Sequence, residues 1–301
     1  MTRLDATAYL APEGFEADLA MELGSPVERH GRLFLASGAP KPAAWAQNVW
    51  LEPNLAKVAS IGEASRLLRG IQRNWAPYAF HLHRRTQLLV DKLPPIRFRP
   101  LVFPAAPPAA PLGSFCLVDS ETLLYSASCT SPFPNGEARF EENHTDPPSR
   151  AYLKLWEALT RLGARPRPGD RCLDLGSSPG GWTWVLAELG ADVTSVDKAE
   201  LAPAVLASPN VHFERGSAFA LDPRTIEQPY DWLFCDVICY PSRLLRMIER
   251  WLEHGAAKRF VCTLKFQGAT DHETARAFAA IPGSSLFHLA HNRHELTWAK
   301  I

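Results

Sequence analysis

Two residues with acid–base side chains stand at the ends of apolar segments in the second half of the chain. Asp236 follows the run DWLFC, and Lys265 follows the run FVCTL. Each run has the length and apolar character of a buried strand, and the carboxyl ends of parallel strands border a ligand crevice. Because an unpaired buried charge is costly, a Lys–Asp pair is expected there in a catalytic or in a purely structural role.

A glycine-rich loop precedes these strands. The sequence DRCLDLGSSPGGW, residues 170–182, predicts a strand, a tight turn and a helix, the order that nucleotide-like ligands require. Asp197 closes the next strand, VTSVD, where a carboxylate can accept hydrogen bonds from both hydroxyls of an adenosine ribose. The predicted cofactor contacts are Asp174, Gly176, Ser177, Ser178, Pro179, Gly180, Gly181, Trp182, Asp197, Ser217 and Asp236.

Three interpretations compete for this loop. Its spacing is not G-x-G-x-x-G, which favours S-adenosylmethionine (SAM), a ligand without a phosphate to cradle, over a dinucleotide. Residues 176–180 also fit the G-x-S-x-G elbow of α/β-hydrolases. Pro179 argues against a hydrolase, because the residue after the nucleophile must donate its backbone N–H to the oxyanion hole. A purely structural glycine turn is disfavoured, because Asp197 independently matches the carboxylate expected to bind the ribose of a nucleotide-like ligand.

The elements that must position these residues alternate between strands and helices. A helix is expected from an N-cap at Ser149 to Leu162, followed by strands at 171–175, 193–196, 211–214, 232–235, 260–266 and 287–299, with helices ending at 189 and covering 242–254. This order predicts an α/β fold with an open, mostly parallel sheet covered by helices. His288, His291 and His294 would alternate between the two faces of the last strand, so we expect no metal site.

Residues 1–143 are predicted to form a smaller α+β domain with a proline-rich connection at 100–113, and residues 144–301 a second domain. A helix is expected over 11–23, a strand over 31–36 and a hairpin over 115–128.

Between residues 66 and 99, eight basic residues and one acidic residue are interleaved with aromatic rings. This combination suits RNA binding, and the alternative is an ordinary solvated face. The predicted RNA contacts are Arg66, Arg69, Arg73, Arg84, Arg85, Arg97, Arg99 and Arg150.

Composition sets broader limits. The 32 basic and 32 acidic residues balance, so net charge says nothing about partners. Six cysteines occur without a CxxC motif, which favours a reducing, cytoplasmic compartment and no cysteine metal site. The first residues do not resemble a signal peptide, and no apolar run approaches the length of a membrane span. We expect a monomer without membrane association.

An ordered set of motifs resembles one family. The motifs are PSRAYLK (148–154), GSSPGGW (176–182), FCD (234–236), LK (264–265) and RHELT (293–297). Together they are similar to the FtsJ-type RNA 2′-O-methyltransferases, and most similar to the large-subunit ribosomal RNA methyltransferase M family, over about residues 115–301. The resemblance implies a Rossmann-like methyltransferase fold with a mostly parallel seven-stranded sheet and SAM as cofactor. It also implies an RNA substrate, with large-subunit ribosomal RNA as the expected class.

The same resemblance implies a catalytic Lys-Asp-Lys-Glu set, which falls on Lys154, Asp236, Lys265 and Glu295. In this scheme Lys265 is the candidate general base for a ribose hydroxyl, although the final proton acceptor stays open. The N-terminal part resembles the family less, since about 140 residues are few for a ferredoxin-like module followed by an RNA-binding THUMP domain. The alternatives are methylation of another RNA or of a small molecule, or RNA binding without catalysis.

Overall fold

The computed structural model describes residues 2–24, 28–96 and 98–301, which form two compact units. The N-terminal unit comprises Met1–Leu101 and Pro107–Arg139, and the C-terminal unit comprises Val102–Ala106 and Phe140–Ile301. The predicted boundary between residues 143 and 144 lies inside the C-terminal unit. The reason is local packing, because the backbone N–H of Asn143 donates to the hydroxyl of Tyr152 at 3.0 Å.

The proline-rich connection is also partly built into the C-terminal unit. Phe103 stacks on Trp156 with ring centroids 5.0 Å apart and an angle of 8° between the rings. Arg165 Nη1 donates to the carbonyl oxygen of Pro104 at 2.9 Å. Residues 102–106 are therefore packed chain rather than a free linker.

The N-terminal unit is a mixed α+β structure. Its elements are β1 Thr2–Arg3, β2 Ala6–Leu10, α1 Glu16–Leu23, β3 Glu28–His30, β4 Leu33–Ser37, β5 Asn48–Trp50, β6 Asn54–Lys57, α2 Ile61–Ile71, β7 Trp75–Pro77, α3 His83–Val90, β8 Gly113–Leu117 and β9 Thr122–Ser126. They form a five-stranded sheet in the order β1-β6-β9-β8-β7 and a four-stranded sheet in the order β3-β4-β2-β5. The β8–β9 pair is the predicted hairpin, whereas α1 begins at Glu16 because Gly14 turns with φ +84° just before it.

The C-terminal unit alternates strands and helices. Its elements are α4 Ala151–Leu162, β10 Arg171–Leu175, α5 Gly181–Glu188, β11 Asp192–Asp197, α6 Pro203–Leu206, β12 Val211–Arg215, β13 Tyr230–Cys235, α7 Pro241–Glu253, β14 Ala257–Lys265, α8 His272–Ala279, β15 Ser284–Phe287 and β16 Glu295–Lys300. Within the described ranges, no helix combines the length and apolar character that crossing a bilayer requires.

The seven strands of this unit form one sheet in the order β12-β11-β10-β13-β14-β16-β15. All neighbours are parallel except the pairs that β16 makes with β14 and with β15. The predicted fold class is confirmed. Because the chain leaves β10 on one side towards β11 and later on the other side towards β13, the switch point of the sheet lies at β10, where ligands bind in folds of this type.

The last predicted strand is wrong as a single element. The structure divides residues 287–299 into the end of β15, a loop at 288–294 and most of β16. The loop is held by Glu157 of α4, whose carboxylate accepts the backbone N–H groups of Ala290 and His291 at 2.8 and 3.0 Å. Strand alternation therefore does not govern the three histidines, and His291 and His294 bond separately to Glu157 and Thr270.

Candidate active site

Four charged side chains, named the tetrad here, meet at the carboxyl edge of the large sheet. Asp236 follows β13, Lys265 ends β14, Glu295 begins β16 and Lys154 lies in the first turn of α4. Lys154 Nζ lies 3.1 Å from Asp236 Oδ1 and 2.7 Å from Glu295 Oε1, and Lys265 Nζ lies 3.1 Å from Asp236 Oδ1. The structure thus brings together all four residues that the resemblance singled out, while their catalytic roles remain a prediction.

Lys154 is the most enclosed cation of the tetrad, with 10% of its side chain exposed. Burial lowers the pKa of its ammonium group, but the Asp236 and Glu295 carboxylates raise it by more, so the pKa lies above its ordinary value. Lys154 consequently stays protonated at neutral pH and holds two carboxylates in place. It is a poor proton acceptor.

Lys265 is more accessible, with 20% of its side chain exposed, and it lines the adjacent cavity. Its Nζ also donates to the backbone carbonyl oxygen of Asp236 at 2.5 Å. The backbone N–H of Asp236 in turn donates to the carbonyl of Leu175 at the end of β10, at 3.2 Å. Asp236, which orients Lys265, is therefore itself held by strand β10, the strand that leads into the glycine-rich loop.

A cavity of about 380 Å³ lies beside the tetrad. This volume falls within the range of small-molecule sites. Of the predicted cofactor contacts, five line it together with Lys265: Gly176, Ser178, Asp197, Ser217 and Asp236. The predicted ligand crevice and the tetrad thus share one edge of the sheet.

Asp197, at the end of β11, is placed to accept hydrogen bonds from the two hydroxyls of a ribose. Its Oδ2 accepts the backbone N–H of Ser178 at 3.0 Å, and its Oδ1 accepts that of Ala199 at 2.9 Å. A carboxylate offers about four lone-pair positions. Two of these positions remain for the hydroxyls of a ribose in the cavity.

Two glycines of the loop are required by close approach. Gly176 has φ +76°, and a Cβ atom there would lie 2.8 Å from the Cα of Val237. A Cβ atom at Gly181 would lie 2.6 Å from Ser149 Oγ. Side chains at these positions would push the loop away from the Asp236 segment and from the start of α4.

The remaining predicted cofactor contacts do not line this cavity: Pro179 is exposed, and Asp174, Ser177, Gly180, Gly181 and Trp182 are buried. Trp182 is a packing residue, since its Nε1 donates to the Ala151 carbonyl at 3.0 Å and its ring meets Phe234 edge-on. Asp174 is fully buried and accepts the Thr183 hydroxyl at 2.6 Å. Burial raises the pKa of Asp174 to about 7.

Ser178 does not have the surroundings of a hydrolase nucleophile. Its hydroxyl donates to the backbone carbonyl of Glu200 at 2.8 Å rather than to a basic side chain. The following residue, Pro179, has no backbone N–H to donate. The geometry therefore argues against the hydrolase interpretation, as the sequence did.

Several residues that line the cavity were not predicted from the sequence, among them Phe219, Ile238 and Arg243. The guanidinium of Arg243 lies over the ring of Phe219, 3.9 Å from its centroid. Arg243 stands on the polar face of α7, where an exposed arginine is the ordinary expectation, so the sequence carried no signal for it.

Glu157 was missed for the opposite reason, because a charged residue within a helix suggests solvent. It is 4% exposed and lies one turn after Lys154 on the same face of α4. Besides the two backbone N–H groups of the 288–294 loop, its Oε2 lies 2.6 Å from His291 Nδ1. Helix α4 thus holds both Glu295 itself, through Lys154, and the loop that leads to it.

The predicted RNA contacts are exposed or half-buried where the structure describes them. Five lie in the N-terminal unit with exposed side chains: Arg66, Arg69, Arg73, Arg84 and Arg99. Arg85 is half-buried, and Arg97 lies outside the described residues. Arg150, in the C-terminal unit, forms an ion pair with Glu142 at 2.7 Å, which offsets part of its charge. Across residues 2–24, 28–96 and 98–301, no cluster of three His, Cys, Asp or Glu side chains is arranged to hold a metal ion.

Comparison with known proteins connects this geometry to a family. Residues 147–267, which carry the glycine-rich loop, Lys154, Asp236 and Lys265, match the family described as FtsJ-like methyltransferase. Residues 147–267 are therefore similar to FtsJ-like methyltransferases. The matched region ends before Glu295, which nevertheless pairs with Lys265 in the sheet.

Two relatives share the name ribosomal RNA large subunit methyltransferase M. The protein from Halorhodospira halophila is 41% identical over 158 residues, 50% of this chain and 46% of that protein. The protein from Xanthomonas oryzae is 32% identical over 212 residues, 67% of this chain and 56% of that protein. The chain thus spans about half the length of the curated relatives that it matches.

Among solved structures, magnesium protoporphyrin IX methyltransferase from Synechocystis with bound SAM aligns at 16% identity and a TM-score of 0.36. The alignment covers 50% of this chain and 79% of that protein. The order of the sheet, rather than this weak similarity, establishes the fold.

The cavity beside the tetrad fits SAM. Asp197 offers free acceptor positions for ribose hydroxyls, and Gly176 lets the backbone approach the ligand. Carboxylates of Asp197 and Asp236 on the cavity wall suit a cofactor that carries a positive sulfonium and an ammonium group.

Proposed function

We propose that the chain transfers a methyl group from SAM to a ribose 2′-hydroxyl of large-subunit ribosomal RNA, as a monomer in the cytoplasm. The observation that carries this proposal is the continuous ion-paired tetrad at the mouth of the cavity. The names of the two relatives support the substrate class.

The tetrad suits deprotonation of a weakly acidic hydroxyl. When bound, SAM supplies an electrophilic methyl group on a positively charged sulfur. Lys265, in its unprotonated form, would accept the 2′-hydroxyl proton, which would activate that oxygen towards the methyl group. Asp236 orients Lys265 through its carboxylate and its backbone carbonyl. Lys154 stays charged and fixes Asp236 and Glu295, so it does not compete for the proton.

The exposed arginines of the N-terminal unit belong to the same proposal. They supply sequence-independent attraction for phosphates, which gives affinity and register rather than base choice. The N-terminal unit accordingly delivers RNA, and the C-terminal unit carries out the chemistry.

The proposal is tested with labelled SAM and ribosomal RNA that lacks the modification. We expect incorporation at a ribose of large-subunit RNA by the intact chain and none with small-subunit RNA. Lys265→Ala and Lys265→Arg should both lose activity by about 10²-fold or more, because the arginine keeps the charge but cannot release its proton. Full activity of Lys265→Arg would contradict the proton-acceptor role, and labelling of a base instead of a ribose would contradict the proposed reaction.

A further inference from the structure

The loop that carries Asp236 continues into an exposed apolar surface. Ile238 and Tyr240 are 76% and 64% exposed, while Cys239 between them is buried. Ile238 also lines the cofactor cavity. Large apolar side chains left exposed at the rim of a ligand cavity commonly mark a binding surface.

Helix α7, which begins directly after Tyr240, carries a row of exposed arginines. Arg243, Arg246 and Arg250 line a second cavity of about 390 Å³, which also includes the apolar side chains of Met247 and Trp251. Spacings of three and four residues keep the arginines on one helix face over roughly 10 Å of the helix axis. Arg243 lines this cavity and the cofactor cavity alike.

One carboxylate lies against the end of the row. Asp222 Oδ2 pairs with Arg224 Nη2 at 2.6 Å, and Asp222 Oδ1 lies 3.5 Å from Arg250 Nη2. Hydrogen bonds from Arg224 hold the pKa of the Asp222 carboxyl at about 2. Because the Asp222 carboxylate interacts mainly with Arg224, it compensates only a small part of the positive charge of Arg250, which can still bind another anion.

The other acidic residues of α7 leave the row open. Glu249 and Glu253 are exposed, but neither lines the arginine cavity. Within the part of the chain that the structure describes, neither Arg243 nor Arg246 forms an ion pair with a carboxylate. The cavity is therefore positive, with an apolar floor.

We propose that single-stranded RNA binds along this surface. Tyr240 and Ile238 form a platform for a base next to the target ribose, and Arg243, Arg246 and Arg250 contact the phosphates that follow. The inference rests on the proposed function for the identity of the substrate. A ring beside a row of cations is the combination by which proteins bind unpaired nucleotides, because bases stack while guanidinium groups neutralise phosphates.

The test is equilibrium binding of a fluorescent, unstructured RNA oligonucleotide to the full chain at several salt concentrations. Tyr240→Ala should weaken binding about tenfold, whereas Tyr240→Phe, which keeps the ring, should bind like the wild type. The double variant Arg246→Gln/Arg250→Gln should reduce the slope of log affinity against log salt by about 1.4, since each phosphate contact on a single strand contributes about 0.7. Arg167→Gln is the matched control, because Arg167 is exposed in the turn before β10, at the opposite edge of the sheet.

The outcomes separate this inference from the proposed function. Wild-type affinity and salt slope in both Tyr240→Ala and the double arginine variant would overturn the surface, even if Lys265-dependent methylation is found. Loss of binding in these variants, with unchanged binding of S-adenosylhomocysteine, would support the surface even if ribose methylation fails. An acidic protein is the other partner that the arginines could bind. If poly-glutamate binds wild type and Tyr240→Ala equally well, and if neither variant changes RNA binding, the arginines belong to an acidic protein and the proposal is overturned.

Discussion

Lys265 and Glu295 lie directly opposite each other across the antiparallel pair of β14 and β16. Lys154 bonds to Glu295 and to Asp236, and Asp236 bonds to Lys265, so the tetrad alternates in sign from one end to the other. Such a set is neutral as a whole, and each charge is compensated by a neighbour. Removing any one charge leaves an uncompensated partner in a poorly hydrated site.

Lys154→Met should damage both stability and activity. The substitution leaves two facing carboxylates without their shared cation, and breaking a buried pair in this way costs about 3–5 kcal/mol. Chemical denaturation and a methylation assay measure the two effects. Lys258→Met is the control, because Lys258 is 59% exposed in its pair with Asp231 and should cost less than about 1 kcal/mol. Equal small losses in both variants would show that the tetrad is not energetically coupled.

Asp197→Asn should weaken cofactor binding. The amide keeps one acceptor oxygen but loses the charge and replaces the other oxygen with a donor, so a ribose hydroxyl loses a charge-assisted bond worth about 1.5–3 kcal/mol. Calorimetric titration with S-adenosylhomocysteine should show an affinity lower by about tenfold or more. Asp192→Asn, at the exposed start of the same strand, should bind normally. An unchanged affinity in Asp197→Asn would remove Asp197 from the cofactor site.

Asp174 should make the stability of the protein depend on pH. Because burial raises its pKa to about 7 from the ordinary 3.8, the folded protein holds a proton that the unfolded chain releases. The contribution is fully favourable below pH 3.8 and is lost as pH rises towards 7. Asp174→Asn should therefore gain stability relative to wild type between pH 4 and 7, as measured by urea unfolding at both ends of that range. A difference that stays constant with pH would mean that Asp174 is ionised in the folded protein.

Glu157→Gln should slow catalysis without changing cofactor affinity. Glu157 holds His291 and the loop that ends at Glu295, so the amide, which keeps only one acceptor oxygen, loosens the carboxylate end of the tetrad. We expect kcat to fall about tenfold while the KM for SAM stays the same. Glu188→Gln, an exposed change on α5, should leave both constants unaltered. A higher KM for SAM with normal kcat would place the effect at the cofactor cavity instead.

The sequence predicted the centre of the site better than its margins. Asp236 and Lys265 follow from apolar strands of ordinary length, because strand ends in a parallel sheet share an edge. Lys154 and Glu295 came only from the resemblance, since a helix far upstream and an antiparallel strand at the end of the chain carry no local sign of meeting there. Glu157 gave no sign because its partners are backbone N–H groups of a loop that the sequence pattern concealed within one long predicted strand.

The prediction of the unit boundaries from the sequence was inaccurate for a similar reason. Prolines at 104, 107 and 108 correctly exclude a helix or a central strand over that stretch. Composition cannot show, however, that Phe103 has a tryptophan ring to stack on, because that contact joins residues far apart in the sequence.

The stacking of Phe103 on Trp156 means that the C-terminal unit is not one continuous piece of polypeptide. A fragment beginning at residue 140 retains every strand of the large sheet but lacks the ring that covers Trp156. When fragments or fusions are designed, or when proteolytic fragments are interpreted, residues 102–106 should therefore be counted as part of the C-terminal unit. A fragment that begins at or before residue 102 keeps this segment, and with it the ring that covers Trp156.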